Sequence, residues 1–427
     1  MSEKTYVLHP VLKDKADSGR TSQAGLEEIK NLTAAIDLTI VAAETVLLNR
    51  LNAALYIGKG VAERIRDVIR ENEITLAVVN TSLSPIQQRN LEKLWNCKVI
   101  DRTALILEIF GERARTKEGV LQVELAHLSY QRSRLVRGWT HLERQRGGKG
   151  FLGGPGETQI ELDRRVITDN IVKLKKELEE VKRTRHLHRK ARQRVPFPVV
   201  ALVGYTNAGK STLFNRLTNA DVFAKDMLFA TLDPTMRLLK LPSGRQVILS
   251  DTVGFISDLP TELVAAFRAT LEEVLEASLI VHVRDISHPD TQAQKIDVEN
   301  VLKALGLSQQ VDRGLIEVLN KSDLMEPLER SALQSQTERR EKQVLISAVT
   351  GEGVPDLLAL LEKALATGRE EITVDISVAD GAALAYLYRV GEVLERNDKD
   401  AVCRVRVRLD SSDAARFKNN FPQVVYV

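Results

Sequence analysis

The sequence predicts a multidomain α/β protein, and three observations support this prediction. The chain has 427 residues, and at roughly 150 residues per domain a chain of this size forms about three domains. Its hydrophobic fraction of 43% is sufficient for packed cores. Short apolar runs alternate with amphipathic stretches in two separate parts of the chain, an order that is typical of parallel sheets covered by helices.

Composition argues against several other classes of protein. No apolar run approaches the ~18 residues that span a bilayer, and the opening MSEKTYVLHP has no apolar stretch of signal-peptide type. The two cysteines, Cys97 and Cys403, are too few for a disulfide framework and fit a reducing compartment. We therefore expect a cytoplasmic protein without a membrane span. Nothing in the sequence requires a dimer, so we expect a monomer.

The first unit, residues 1–116, is predicted to be a small α/β domain. Its elements alternate in the order strand, helix, strand, helix, strand, at residues 54–58, 61–71, 74–80, 85–94 and 97–102. A Gly-Lys-Gly sequence at 58–60 marks a strand-to-helix turn, where an anion could bind. It lacks the third glycine of a dinucleotide fingerprint, and this favours a plain tight turn. A separate ATP-dependent activity on RNA in this domain remains an open alternative.

The charge of the chain is concentrated in one block. The net charge is +3, but residues 113–195 hold 21 Lys and Arg against 10 Asp and Glu, so this block carries +11. The rest of the chain must then carry −8. A basic block in an otherwise acidic protein indicates either a surface for a polyanion or a well-solvated helical face.

Residues 117–195 within this block are predicted to form a helical hairpin. Apolar residues recur at helical spacing on both sides of a glycine-rich segment, at Leu121, Leu125, Leu128, Leu135, Trp139 and Leu142 and again at Ile167, Ile171, Leu174, Leu178 and Val181. The segment 147–156 has six glycines in ten residues, which a helix cannot cross. Basic residues cluster near this tip, at Arg144, Arg146, Lys149, Arg164 and Arg165. The hairpin either braces two domains or acts as a probe for a polyanion.

A third unit, residues 196–368, carries a phosphate-binding motif. The sequence at 204–211 matches G-x-x-x-x-G-K-[ST] between a predicted strand and a predicted helix. Backbone N–H groups at such a loop wrap phosphates at the helix N-terminus, Lys210 supplies charge to the β- and γ-phosphates, and the Ser211 hydroxyl ligates Mg²⁺. The predicted binding residues in this segment are Gly204, Tyr205, Thr206, Asn207, Ala208, Gly209, Lys210, Ser211 and Thr212.

Two further segments are expected to respond to the γ-phosphate. Asp251 follows a predicted strand and can hold the Mg²⁺ shell through water, and the N–H of Gly254 is free to meet the γ-phosphate. A threonine in the segment before that strand can add a second hydroxyl ligand to Mg²⁺. The predicted residues are Asp251, Thr252, Val253 and Gly254, and before them Phe229, Ala230, Thr231, Leu232 and Asp233. Lys210, Thr231 and Gly254 are the predicted catalytic residues.

Two short motifs indicate that the base is guanine. The carboxylate of Asp323 can accept hydrogen bonds from N1–H and the 2-amino group of guanine, a pair of donors that adenine lacks. Asn320 can bond the opposite edge of the base, and Lys321 can lie along its face. A backbone N–H after the next strand can reach guanine O6. The predicted residues are Asn320, Lys321, Ser322 and Asp323, followed by Ser347, Ala348 and Val349.

The last unit, residues 369–427, is predicted to be a small α+β domain. A strand at 371–378, a helix at 382–394, a strand at 401–409, a short helix and a strand at 424–427 account for its length. Arg404, Arg406 and Arg408 alternate with apolar residues, so one face of the strand is basic. This face either contacts RNA or, as we favour, is a solvated outer surface.

With these motifs in order, the chain resembles the HflX-type GTPases, a branch of the P-loop GTPases. The resemblance covers essentially the whole chain and is carried by GYTNAGKSTLFN, FATLD and DTVGFI, and most specifically by GGKGFLGGPGETQIELDRR at the predicted tip. It implies a P-loop GTPase domain with an N-terminal α/β domain, a helical hairpin and a C-terminal α+β domain. It also implies binding to the large (50S) ribosomal subunit and its rRNA in the GTP state, the splitting of stalled or idle ribosomes, and release on hydrolysis to GDP.

The resemblance sharpens three residue assignments. It favours Thr231 over Thr235 as the switch threonine. Phe255 stands where a Ras-like enzyme has the glutamine that orients water, so we expect slow intrinsic hydrolysis and stimulation by the ribosome. Asn207 resembles the P-loop asparagine of potassium-stimulated GTPases, which leaves K⁺ as an alternative cofactor beside Mg²⁺, although a plain loop role explains it equally well.

Two rival functions remain open from the sequence alone. The chain could check maturing large subunits without splitting ribosomes. It could also be a GTP-regulated module with a membrane or protein partner, against which the basic glycine-rich tip and the lack of an apolar anchor argue.

Overall fold

The computed structural model describes residues 3–13, 20–145, 155–192, 197–219, 229, 235–257, 274–366, 369–399 and 401–426. Within these residues the strands form three sheets, and two long helices connect the first sheet to the second. The expectation of a multidomain α/β protein is confirmed. No helix among the described residues is long and apolar enough to cross a membrane.

The N-terminal sheet has four parallel strands with helices on both faces. In space the strand order is β2-β1-β3-β4, formed by β1 (Lys4–Leu12), β2 (Thr39–Leu48), β3 (Leu76–Val79) and β4 (Lys98–Asp101). One apolar layer includes residues of α1 (Ser22–Ala34) and α4 (Arg102–Arg113). The other includes residues of α2 (Lys59–Glu71) and α3 (Pro85–Trp95).

One predicted strand of this domain is wrong, and two real strands were not predicted. Residues 54–58 form a turn, in which the side-chain oxygen of Asn52 accepts hydrogen bonds from the N–H groups of Ala54 and Leu55. Tyr56 has φ +66°, which a strand cannot accommodate. The missed strands are β1 and β2. Pro10 in β1 is tolerated because β3 pairs only with residues 5–8, which leaves the later part of β1 with β2 as its neighbour.

The predicted hairpin helices are present as α5 (Lys117–Gln145) and α6 (Pro155–Arg192). Leu121, near the start of α5, packs against Leu174 and Leu178 in the later half of α6, so the two helices are antiparallel. At 1.5 Å per residue a helix of 29 residues such as α5 is about 43 Å long. The predicted glycine-rich tip lies outside the described residues up to Gly154, and α6 begins at Pro155, a residue well suited to the first turn of a helix.

The third unit is a six-stranded sheet in which only the edge strand is antiparallel. The order is β10-β9-β8-β5-β7-β6, formed by β5 (Val199–Val203), β6 (Thr235–Lys240), β7 (Gln246–Asp251), β8 (Leu279–Asp285), β9 (Ile316–Asn320) and β10 (Gln343–Leu345). The described helices are α7 (Lys210–Thr218), α8 (Thr291–Ala304), α9 (Ser308–Asp312), α10 (Pro327–Thr337) and α11 (Val354–Ala366). A short 3₁₀ helix at Ser322–Leu324 follows β9. The predicted motifs therefore follow the carboxyl ends of parallel strands, where ligands bind in such sheets.

The C-terminal sheet is antiparallel, in the order β12-β13-β11-β14. Its elements are β11 (Arg369–Ser377), α12 (Gly381–Val390), β12 (Glu392–Lys399), β13 (Val402–Asp410), α13 (Ser411–Asn420) and β14 (Val425–Tyr426). The helix predicted at 382–394 is too long, because it ends at Val390 and the following residues form β12. Gly391 has no room for a side chain, since a Cβ there would lie 2.4 Å from Cδ2 of Leu409.

The arginine stripe of β13 alternates with buried residues as predicted. Each arginine faces a carboxylate on a neighbouring strand: Arg404 pairs with Asp375 at 2.7 Å and Arg408 with Glu371 at 2.9 Å. Arg406 lies 3.9 Å from Glu395. These cross-strand pairs neutralise the basic face, which favours the solvated outer surface over an RNA contact.

The N-terminal domain and the six-stranded domain share one apolar core. Val7, Ile29 and Phe110 belong to the same buried cluster as Val203 and Phe255 of the six-stranded domain. Phe110 also meets Phe229 edge-to-face, with ring centroids 4.6 Å apart. The two domains are therefore packed against each other beside the predicted phosphate-binding loop.

Candidate functional site

The phosphate-binding loop connects the buried strand β5 to helix α7. Gly204 and Gly209 both adopt positive φ, +153° and +89°. A Cβ on Gly204 would lie 2.1 Å from the carbonyl oxygen of Val283, and one on Gly209 would lie 2.1 Å from Nδ2 of Asn320. The loop is pressed against β8 and β9 at these points, so glycine is required by both conformation and space. Asn207 also has positive φ, +59°, which asparagine tolerates.

Lys210, the first residue of α7, is already held in place by the loop. Its Nζ donates to the carbonyl oxygens of Gly204 at 3.1 Å and Tyr205 at 2.8 Å. Burial lowers the pKa of Lys210 to about 8, although the nearby Asp251 carboxylate acts in the opposite direction. A bound phosphate would favour the charged form of this lysine. The side chain is thus fixed at the loop and suited to an anion.

Ser211 and Asp251 come together next to Lys210. The Ser211 hydroxyl donates to Oδ2 of Asp251 at 2.7 Å, which joins the start of α7 to the end of β7. A hydroxyl and a carboxylate are hard oxygen ligands of the kind that Mg²⁺ prefers, with water and substrate phosphates completing its octahedron. The pair therefore fits an Mg²⁺ ion that Ser211 would ligate directly. When bound, this ion neutralises charge on the β- and γ-phosphates.

Most of the predicted switch segment lies outside the described residues, namely Ala230, Thr231, Leu232 and Asp233. Phe229 is described: it is buried, adopts φ +57° and contacts Phe110 of the N-terminal domain. Thr235, the alternative switch threonine, begins β6 and pairs with Asp251 in the sheet. Thr235 is therefore adjacent to Asp251, which is bonded to Ser211.

The segment after Asp251 is packed tightly against the phosphate-binding loop. The Thr252 hydroxyl donates to the carbonyl of Leu202 at 2.6 Å, so this side chain supports β5, and Val253 is buried in the shared core. The Phe255 N–H donates to the carbonyl of Gly204, and the Thr206 N–H donates to the carbonyl of Phe255 at 2.7 Å. Gly254 therefore lies directly against the loop.

The predicted guanine-binding residues surround the other end of the loop. Asn320 does not present its amide freely, because its Nδ2 donates to the carbonyl of Ala208 at 2.8 Å and its Oδ1 accepts from the N–H of Ala348 at 2.9 Å. We therefore infer that Asn320 chiefly joins the two loops that enclose the base. Lys321 adopts φ +67° and pairs with Asp285 at 2.7 Å. Asp323 is exposed, and its carboxylate is open to a ligand.

The loop of Ser347, Ala348 and Val349 is braced from both sides. The Ser347 hydroxyl accepts a hydrogen bond from the N–H of Thr350 at 3.0 Å. Arg216 of α7 donates to the carbonyls of Ala348 and Val349. The N–H of Ala348 donates to Oδ1 of Asn320. To contact guanine O6, this N–H would have to donate to both oxygens or give up its bond to Asn320.

The sequence-based reasoning missed a buried polar network that links the site to the N-terminal domain. The Tyr205 hydroxyl, which comes from the phosphate-binding loop, donates to Glu28 of α1. The Ser257 N–H donates to the Tyr205 hydroxyl at 2.8 Å, and the Ser257 hydroxyl donates to Glu28 at 3.1 Å. Arg102 donates to the Ser257 hydroxyl at 2.8 Å and forms an ion pair with Glu28 at 3.2 Å.

Opposing effects act on the charge of Glu28 in this network. Burial raises the pKa of its carboxyl, but the charge of Arg102 and the hydrogen bonds from Tyr205 and Arg102 outweigh burial and hold it below the usual range. Burial and the Glu28 charge raise the pKa of Tyr205, so its hydroxyl keeps its proton and remains a donor. Glu28 is therefore a charged, well-bonded carboxylate.

The residue before Arg102 anchors the hairpin. Asp101 is fully buried and caps α4 by accepting from the N–H of Ala104 at 2.9 Å. It also accepts from the Tyr130 hydroxyl at 2.8 Å and forms an ion pair with Arg134 of α5. Two adjacent residues thus contact different parts of the protein. Asp101, the last residue of β4, contacts the hairpin, and Arg102, the first residue of α4, contacts Glu28 and Ser257.

The fold and the site define a P-loop GTPase, an enzyme that hydrolyses GTP. Comparison with known families gives the same class along the whole chain. Four family models match, described as "GTP-binding GTPase N-terminal" over residues 23–111, "GTP-binding GTPase Middle Region" over 113–192, "50S ribosome-binding GTPase" over 199–321 and "HflX C-terminal domain" over 332–424. The chain belongs to the HflX family of GTPases.

Two HflX relatives agree with this family assignment. The GTPase HflX of Magnetococcus marinus is 52% identical over 370 residues, which cover 87% of this chain and 84% of that protein. The GTPase HflX of Escherichia coli is 40% identical over 405 residues, 94% of this chain and 93% of that protein. A crystal structure of a GTP-binding protein from Sulfolobus solfataricus in complex with GDP aligns over 85% of this chain and 98% of its own, with 23% identity and a TM-score of 0.44.

Proposed function

We propose that this GTPase binds the large ribosomal subunit in its GTP state, splits stalled or idle ribosomes, and leaves when GTP is hydrolysed. The family model over the GTPase domain is described as a 50S ribosome-binding GTPase, and the basic hairpin is suited to rRNA. The site residues would act as predicted: Lys210 and Gly254 on the γ-phosphate, Ser211 and Thr231 on Mg²⁺, and Asp323 on guanine. Attack by water then needs mainly positioning and charge neutralisation.

The observation that carries this proposal is the direct connection between the nucleotide site and the hairpin. Ser257 lies three residues after Gly254 and is bonded to Arg102, while the neighbouring Asp101 holds Tyr130 and Arg134 of α5. A change around Gly254 when the γ-phosphate binds or leaves would act on Arg102 and Asp101 and hence on the middle of α5. A GTP-controlled position of a long basic limb is what a ribosome-splitting cycle requires.

The direct test is the state of 70S ribosomes after mixing with the protein. We expect light scattering to fall with GTP or a non-hydrolysable GTP analogue and to stay constant with GDP, because only the γ-phosphate fixes the binding conformation. With the analogue, the protein should co-sediment with 50S subunits, and with GTP it should dissociate from them after hydrolysis.

Two outcomes would replace this proposal by its rivals. Co-sedimentation with 50S subunits but unchanged 70S scattering would indicate a factor that checks large subunits without splitting ribosomes. No nucleotide-dependent co-sedimentation at all would indicate a GTP-regulated module with a different partner.

The basic hairpin gives a second prediction. The double variant R164Q/R165Q should weaken binding to 50S subunits and flatten its salt dependence, because each lost phosphate contact lowers the slope of log K against log salt by about 0.7 to 0.9. Both arginines are exposed on α6 near the predicted tip. GTP affinity should be unchanged. Binding measured by co-sedimentation across a range of KCl concentrations gives the slope.

A matched control uses the arginines of the C-terminal sheet. R404Q/R408Q removes the same charge from side chains that already pair with Asp375 and Glu371, so the salt slope should stay at the wild-type value. An unchanged slope for R164Q/R165Q as well would assign the hairpin charge to a solvated face.

A further inference from the structure

The hydrolytic water lacks the polar partner that Ras-like enzymes supply after the DxxG motif. Those enzymes use a glutamine to orient it, but here that position is Phe255, whose side chain is 1% exposed and packs in the core shared with the N-terminal domain. The ring is fixed in this core and has no hydrogen-bonding atom. Any side chain that orients the water in the isolated protein therefore belongs to another residue of the site.

Thr206 lies against Gly254, next to Lys210, and both of these residues are predicted to contact the γ-phosphate. A Cβ built on Gly254 would lie 2.8 Å from Cγ2 of Thr206, 2.9 Å from its Cα and 3.1 Å from Nζ of Lys210. Lys210 is the lysine that reaches the β- and γ-phosphates in this loop. Thr206, Lys210 and Gly254 therefore converge on one small space at the γ-phosphate end of the site.

The Thr206 hydroxyl is buried and has no hydrogen bond to any residue that the structure describes. The residue is 7% exposed, and its Oγ1 has no hydrogen-bond partner among the described residues. Its backbone is nevertheless fixed by the 2.7 Å bond from its N–H to the carbonyl of Phe255. Two other buried threonines differ, because Thr33 donates to Ile29 at 2.8 Å and Thr252 to Leu202 at 2.6 Å. A buried hydroxyl without a partner is destabilising unless a ligand satisfies it.

We propose that Thr206 positions the water that attacks the γ-phosphate. A hydroxyl has one hydrogen to donate and two lone pairs to accept, so Oγ1 accepts a hydrogen bond from the water and donates its own hydrogen to a γ-phosphate oxygen. The water oxygen bonds to the γ-phosphorus while the bond to the β–γ bridging oxygen breaks, and that electron pair leaves with GDP. The proton of the water passes to the released phosphate, and Thr206 is unchanged.

This inference rests on the GTPase activity and not on the ribosomal partner, so it is tested with the full chain and no ribosomes. In single-turnover hydrolysis with protein in excess over Mg·GTP, T206V should lower the rate constant by about 10- to 100-fold. Its affinity for a non-hydrolysable GTP analogue should stay within about twofold of wild type, since only transition-state binding is lost. Affinity for GDP with aluminium fluoride should fall by the same factor as the rate. T206S, which keeps the hydroxyl, should restore the rate.

Stability measurements separate this role from a structural one. T206V removes an unsatisfied buried hydroxyl, so its thermal midpoint should be equal to or above that of wild type. The control T33V loses the bond to Ile29 in the N-terminal domain, so its midpoint should fall while its hydrolysis rate stays the same.

Three results would overturn the proposal. Hydrolysis at the wild-type rate in T206V would show that its hydroxyl is not used. An equal loss of analogue affinity and of rate would make Thr206 a phosphate-binding residue only. A lowered thermal midpoint in T206V, together with a hydrolysis rate that T206S does not restore, would mean that Thr206 has a structural role.

Discussion

Lys210→Ala should abolish the nucleotide-dependent binding of this protein to the large ribosomal subunit. The variant removes the charged donor expected at the β- and γ-phosphates, a contact worth about 3 kcal/mol, or about 100-fold in GTP affinity. It also leaves the carbonyls of Gly204 and Tyr205 without the ammonium that holds them at 3.1 and 2.8 Å. Equilibrium binding of a fluorescent GTP analogue measures the loss of GTP affinity. Co-sedimentation with 50S subunits measures the loss of nucleotide-dependent ribosome binding.

Lys59→Ala is the matched control for this variant. Lys59 also follows a glycine at a helix N-terminus, but its side chain is 81% exposed and lies 3.8 Å from Glu63 on the surface. Around Gly58 and Gly60 there is open space, in contrast to the crowded Gly204 and Gly209. GTP binding by the Lys59 variant should equal that of wild type. GTP-dependent ribosome binding that survives in Lys210→Ala would show that the nucleotide site has been assigned wrongly.

The phosphate-binding loop was predictable because its chemistry is local in sequence. Gly204 and Gly209 are required by positive φ and by contacts with neighbouring strands, and Lys210 and Ser211 follow at the helix start, so consecutive residues specify the loop. The short motifs around Asp251 and Asn320 were predictable for the same reason, since each follows an apolar strand. Sequence order and the rule that parallel strands end at one edge then bring them together.

The polar network was not predictable from local pattern. Arg102 is separated from Ser257 by 155 positions, and Glu28 from Tyr205 by 177. Neither pair leaves a periodic signal. One available signal is the charged pair Asp101 and Arg102 between the apolar runs of β4 and α4, since charged residues inside such runs are seldom buried unless they are paired.

Two predictions of secondary structure, the strand at 54–58 and the helix at 382–394, failed for identifiable reasons. Residues 54–58 have an apolar composition, but the side chain of Asn52 and the left-handed conformation of Tyr56 fold them into a turn. The helix predicted to reach residue 394 ends at Val390 because Gly391 must lie close to Leu409 of β13. In the first place a local hydrogen-bonded turn replaces the predicted strand, and in the second a contact with another strand overrides the local pattern.

The Arg102–Glu28 pair carries the second large prediction. Arg102→Ala leaves the carboxylate of Glu28 buried without its cation, a loss of about 3–5 kcal/mol for a buried pair broken on one side. Arg102 and Glu28 side chains are 6% and 16% exposed, so water cannot replace the guanidinium easily. We expect hydrogen–deuterium exchange to show that α1 and the start of α4 open far more readily than in wild type.

The pH dependence of the stability lost in Arg102→Ala distinguishes an effect of charge from an effect of lost packing. In wild type the pKa of Glu28 is held below its usual range, so its contribution to stability is present at neutral pH and is lost as pH falls through that lowered pKa. In Arg102→Ala the largest charge that opposes burial is removed, while the charge of Arg20 and the hydrogen bond from Tyr205 remain, so the pKa of Glu28 rises from its wild-type position. Protonation of Glu28 as the pH falls then reduces the destabilisation of the variant. The difference between variant and wild type should therefore be largest near pH 7 and shrink toward about pH 4.

The double variant E28Q/R102M provides the matched control, because it removes both charges and keeps most of the volume. It should be less destabilised than Arg102→Ala, as expected when an unpaired buried charge is the main cause. An exposed pair offers the other comparison: Arg404→Ala, opposite Asp375, should change stability far less than Arg102→Ala, because solvent screens the charges of an exposed pair. A loss in Arg102→Ala that is independent of pH and equal to that of the double variant would mean that packing, not charge, joins the domains.

The same variant tests how the nucleotide site controls the hairpin. The P-loop contacts of Lys210 and the Ser211–Asp251 bond do not involve Arg102, so Arg102→Ala should still bind GTP. Asp101 would still hold Tyr130 and Arg134, so the hairpin should stay docked on the N-terminal domain. What is lost is the bond between Ser257 and the start of α4, and ribosome binding should therefore become nearly equal with GDP and with a GTP analogue. Retained discrimination between the two nucleotides would place the coupling in the apolar contacts of Phe110, Phe229 and Phe255 instead.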